Sequence, residues 1–121
     1  MNREIKFKAK RLDNGEWVKG LPILYKIDGS YMWRECQQPI RIDPHTLCQY
    51  TGEKDMNGKE IWEGDVVERE IYDLYKGIAK VKGVIEYRGA SFIVVSEGVP
   101  YSLYSKYVKV LHSKFDKEEG K

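Results

Sequence analysis

Cysteine and histidine are scarce in this chain, with two of each in 121 residues. Structural zinc sites favour close ligand pairs such as Cys-x2-Cys. Cys36, His45, Cys48 and His112 supply one close spacing, His45-x2-Cys48. Buried thiols and surface imidazoles are therefore expected rather than a metal site, and no cofactor is implied. The few cysteines and the lack of an Asn-x-Ser/Thr sequon point to a reducing, cytoplasmic setting. No run approaches 18 apolar residues, so no membrane span is expected. Met1 to Ile5 carry no apolar signal-peptide core. Charge of one sign is also lacking: 21 basic residues face 19 acidic ones, a net charge of +2. The isoelectric point of about 8.4 lies below the value of about 9 that marks many nucleic-acid-binding domains.

Catalytic motifs are missing as well. No Gly-x-Ser-x-Gly elbow is present, and no local pattern marks a reactive thiol. A phosphate loop needs Gly-x4-Gly-Lys-Ser/Thr; here five residues separate Gly52 from Gly58, and Glu60 replaces the hydroxyl. Asp55-Met56-Asn57-Gly58 resembles a calcium loop only in composition. An EF-hand needs Gly at position six and Glu at twelve, and counting from Asp55 those positions hold Glu60 and Val66. Glu63 and Asp65 would share a face on a strand, which suits acid–base work or a divalent cation, but a turn explains them more simply. A non-enzymatic protein is expected.

What the chain does hold is aromatic and alternating. Nine Tyr, three Trp and three Phe are incompatible with wholesale disorder, and 121 residues suffice for a core without staples. Ile5, Phe7 and Ala9 alternate with Lys6, Lys8 and Lys10, the period of a half-buried strand. Asp13-Asn14-Gly15 reads as a tight turn. Glu16 to Ile27 is a second apolar run, with Gly20 and Pro22 marking a bulge or an edge. Asp28-Gly29-Ser30 is the next turn, and Tyr31 to Cys36 a short strand. Gln37 to Gly52 is irregular, and Gly52 to Glu60 is a hairpin or loop. Val66 and Val67 open another strand. Ile78–Tyr87 and Phe92–Val95 flank a hairpin turn at Arg88–Ser91. Pro100 to Tyr107 suits one helical turn, and Tyr107 to Leu111 a last strand. The fold class is mainly β with little helix: an N-terminal β lobe over 1–50, a C-terminal lobe over 51–114 and a charged tail over 115–121.

The stretch from Gln49 to Val67, reading QYTGEKDMNGKEIWEGDVV, resembles the signature of the YopX-like family of phage and prophage proteins. Arg3–Ala9 and Trp17-Val18-Lys19-Gly20 match as well, so the resemblance runs from residue 3 to about residue 111. The family pattern has Arg where Lys8 stands, an apolar residue where Glu53 stands, and Tyr or Phe where Trp62 stands. The resemblance implies a mostly-β fold whose C-terminal lobe is a small SH3-like barrel. It carries over no catalytic residue. Its structural signature falls on Gln49, Tyr50, Gly52, Asp55, Asn57, Gly58, Gly64 and Asp65, with Gly64 supplying an unusual backbone conformation and Asp65 capping a turn.

Charge is unevenly spread. Five bases face one acid in the first eleven residues, whereas seven acids face three bases between Glu53 and Glu70. Such complementarity steers chains together, and Trp17, Trp33 and Trp62 could anchor an interface. The leading expectation is an oligomeric protein-interaction module that associates with itself and with a phage or host protein. The alternative is a nucleic-acid-binding accessory factor. It would use the basic strand faces of Lys6, Lys8, Lys10, Lys80 and Lys82, with Tyr87, Phe92, Tyr104 and Tyr107 as stacking platforms.

Overall fold

The computed structural model describes residues 5–25, 29–33 and 40–116. Side chains are described outside 21–25 and 29–33. The turn expected at Asp28 and the residue Cys36 lie outside the described residues, as does most of the charged tail. The described residues form eleven β-strands and two single turns of 3-10 helix. The strands are β1 (Phe7–Lys10), β2 (Trp17–Tyr25), β3 (Gly29–Trp33), β4 (Ile40–Arg41), β5 (Cys48–Lys54), β6 (Glu60–Trp62), β7 (Asp65–Asp73), β8 (Gly77–Arg88), β9 (Ser91–Ser96), β10 (Val99–Ser102) and β11 (Val108–Ser113). The helical turns are Pro44–Thr46 and Ser105–Tyr107. The chain divides into two compact units, Met1–Tyr50 and Thr51–Lys121. All resolved strand pairings are antiparallel.

In the first unit the strand order is β4-β3-β2-β1-β5. Phe7 pairs with Gly20 and Gln49, and Ala9 with Val18. The alternation of β1 puts Phe7 and Ala9 on one face, where Ala9, Val18 and Ile42 form a buried cluster flanked by Phe7, Ile40 and Leu47. Ile5 falls outside this core and is 64% exposed, because it precedes the first paired residue. β2 changes partner along its length: Trp17–Gly20 face β1, and Leu21–Tyr25 face β3. Pro22 therefore sits where β2 has no described strand on its other side, a position that tolerates a missing N–H.

The second sheet has the order β10-β9-β8-β7-β11. Its core is Ile61, Val67, Ile85, Phe92, Val94, Val108 and Val110, with Tyr101 and Leu103 against it. Two hairpins use two-residue loops with positive φ at both positions, Gly89-Ala90 and Glu97-Gly98. This is the turn whose twist matches that of the flanking strands. Gly83 is fixed for a different reason. A Cβ there would stand 2.6 Å from the carbonyl oxygen of Val95 and 2.8 Å from Val94 Cγ1. The helical turn is shorter than the Pro100–Tyr107 span suggests, because Val99–Ser102 pair with Ile93–Ser96 as edge strand β10.

The SH3-like barrel implied by the resemblance does not emerge from the described strands. The second sheet stays open, with β10 and β11 as its two edges.

Candidate interaction surfaces

The signature residues build turns. Gly52 and Gly58 have φ of +88° and +81°. Asp55 is buried. Its Oδ1 accepts from the N–H groups of Asn57 at 2.9 Å and Lys59 at 2.8 Å, and its Oδ2 from Val110 N–H at 2.8 Å. The carboxylate thereby ties the β5–β6 turn to β11. Met56 N–H donates to Val108 O at 2.9 Å and reinforces the link. Burial pushes the Asp55 carboxyl up, but the N–H groups of Val110, Lys59 and Asn57 and the nearby Lys59 charge hold it below the usual carboxylate range. Asp65 is also buried, and its Oδ2 accepts from Trp62 N–H at 2.8 Å across the turn. Glu63 lies in that turn and not on a strand, so the two carboxylates do not share a strand face. Gly64, with φ +86°, donates its N–H to Ile85 O and accepts from Lys114 N–H, both at 2.8 Å. Gln49 pairs with Phe7 on β1, and the buried Tyr50 donates its N–H to Lys6 O at 2.9 Å.

Of the four soft ligands, Cys36 lies outside the described residues. Among the described residues no three His, Cys, Asp or Glu side chains are grouped to hold a metal ion. Cys48 is buried with its thiol 3.2 Å from Thr46 O, and His45 is exposed. His112 Nδ1 lies 2.9 Å from Ser113 O.

The basic residues singled out on chemical grounds fall into two sets. In the first unit, Lys8 and Lys10 occupy one face of β1, Lys6 immediately precedes that strand, and Lys19 is directly opposite Lys8 on β2. Lys8 and Lys10 lie 4.4 and 5.3 Å from the centre of the Trp17 ring, and Lys6 is 4.8 Å from that of Tyr50. Within the second unit, Lys80 and Lys82 are on β8, and the register sets Glu70 opposite Lys80 and Glu68 opposite Lys82. Each lysine of that set therefore faces an acid, and the strand pair is charge-balanced. Of the four aromatics named as stacking platforms, Phe92 is buried, with Tyr87 packed edge-on at 4.8 Å. Tyr104 and Tyr107 are exposed, their ring centres 5.4 Å apart. Lys106 lies over both rings at 5.4 and 5.5 Å.

A feature that composition does not announce lies on the β7–β8 hairpin. The last β7–β11 pair is Arg69–Val108, and the last β8–β9 pair is Val84–Val95. Beyond these positions, among the described residues, the two strands pair only with each other, out to Asp73–Gly77. Four residues of extended strand reach about 14 Å, so the hairpin is an arm. Asp73 shapes its tip, Oδ1 accepting from the N–H groups of Tyr75 at 2.7 Å and Lys76 at 3.1 Å. The tip residues are apolar all the same: Leu74 is 84% and Tyr75 96% exposed. Tyr72 and Ile78, a cross-strand pair, are 74% and 72% exposed. Along the arm's flank these two line a groove of about 290 Å³ together with Tyr104, Tyr107 and Arg69. Arg69 anchors the groove wall. Its Nε and Nη2 donate to Ser102 O and Oγ at 3.1 and 3.0 Å, and Nη1 donates to Glu70 O. One signal of the arm is present in the sequence: Asp73-Leu74-Tyr75-Lys76-Gly77 has turn residues at both ends and large apolar residues between them, which turn chemistry does not require.

No curated protein matches the chain. A family model described as YopX protein matches residues 6–117, which takes in both units, the Asp55 and Asp65 turns and the β7–β8 arm. The chain belongs to the YopX family.

Proposed function

We propose that this protein is a phage- or prophage-encoded accessory module of the bacterial cytoplasm, without enzymatic activity. In this reading it works by assembling with copies of itself and presenting that assembly to a phage or host protein. One observation carries the reading: a protruding hairpin holds Tyr72, Leu74, Tyr75 and Ile78 in water. Exposed apolar surface is unfavourable by about 25 cal/mol per Å², and contiguous patches of this kind mark interaction sites. Asp55 and Asp65 have a structural role, since they accept backbone N–H groups that hold turns. The test is native mass by light scattering. We expect a multiple of 14.2 kDa. A single-chain mass at concentrations on the order of 50 µM, ample for an interface of standard size, overturns the reading.

A second reading rests on a separate observation. Lys8, Lys10 and Lys19 share a strand face with Trp17, and Lys6 immediately precedes β1. Lysines beside an aromatic ring suit a single-stranded nucleic acid. Lys80 and Lys82 do not add to this reading, because Glu70 and Glu68 stand opposite them.

A further inference from the structure

We infer that two copies of this chain pair through the β7–β8 arm, the tip of each arm entering the tyrosine-lined groove of the other about a twofold axis. The inference rests on the self-assembly reading above and adds the interface and the occupant. Area is the first argument. Tyr72, Leu74, Tyr75, Ile78, Tyr104 and Tyr107 are between 41% and 96% exposed. Weighted by those exposures, the six side chains present on the order of 800 Å², which is what one partner contributes to a standard-size interface.

Shape is the second argument. The patch holds both a projection and a recess. Leu74 and Tyr75 project at the tip, and the groove of about 290 Å³ runs along the flank of the same arm. A surface that carries both halves of a contact is self-complementary, and a twofold axis satisfies both at once and closes the assembly at two. Tyrosine anchors are among the residues most often central to such contacts.

Sedimentation equilibrium on the full chain tests this, with Ile78→Arg and Tyr75→Ser as variants and circular dichroism to check their fold. Both positions are exposed, so the fold is expected to survive substitution. The wild type should sediment as a dimer, and each variant should weaken the dimer by roughly tenfold or more. An assembled wild type whose mass neither substitution changes overturns the arm interface and leaves self-assembly standing. A ladder of ever larger species that the variants abolish overturns the twofold closure. A wild type that stays a single chain overturns both the interface and the self-assembly reading.

Discussion

Asp55 sets the energetics of its turn because one carboxylate satisfies three backbone donors from two places in the chain. Removing it leaves buried N–H groups without acceptors, a penalty of about 1–3 kcal/mol for each group that water cannot reach. Asp55→Ala should therefore lower stability by roughly 2–4 kcal/mol in urea titrations. A loss under about 0.5 kcal/mol, the size of a surface substitution, would contradict the assigned role. The pH dependence follows from the same contacts. The folded-state carboxyl lies below its unfolded value, so the stabilisation is complete above about pH 4 and is lost as pH falls through the lower folded value. Wild type and Asp55→Ala should accordingly converge in stability on acidification below pH 4, measured as urea midpoints. A gap that stays constant there would sink the assignment.

Strands follow the same logic through close approach. β8 and β9 pack so tightly at Gly83 that a methyl group there meets the carbonyl of Val95. Gly83→Ala should cost about 1–3 kcal/mol, the usual penalty for overpacking, read as a shift in thermal midpoint; an unchanged midpoint would show that the sheet can open at no cost. Several elements are legible in the residues themselves. The β1 alternation is visible in Ile5 to Lys10, and Arg88–Ser91 announces the β8–β9 hairpin. The stretch Ile61–Tyr75 carries a competing helical spacing, yet it forms β6 and β7 because Gly64 breaks a helix and the Val66-Val67 pair favours a strand. Pro100 also misleads: it suggests the start of a helical turn but lies in edge strand β10, where its missing N–H can face away from β9.

For the whole molecule, net charge of +2 says less than where charge is placed. The nucleic-acid reading makes a measurable statement at this scale. If the β1–β2 face binds single strands, replacing Lys6, Lys8 and Lys10 with Gln should weaken binding and reduce its salt slope by about 2–3. Fluorescence anisotropy with labelled DNA and RNA at several salt concentrations reads both. Binding that is absent even at low salt removes the second reading and leaves the arm as the functional surface.

The sequence by itself determined what acts over a few residues. Alternation made the strands, Asn-Gly and Gly-containing turns separated them, and Asp55-Asn57-Gly58 folded back on itself through contacts two to four residues apart. The tertiary structure alone decided what depends on distant partners. It brought Asp55 to Val110, 55 residues away, set Glu68 and Glu70 opposite Lys82 and Lys80, and buried Phe92 while leaving Tyr104 and Tyr107 in water. It also left the β7–β8 arm longer than its neighbours. The reason is physical: a side chain's conformation is chosen locally, but its exposure depends on whether another strand arrives to cover it.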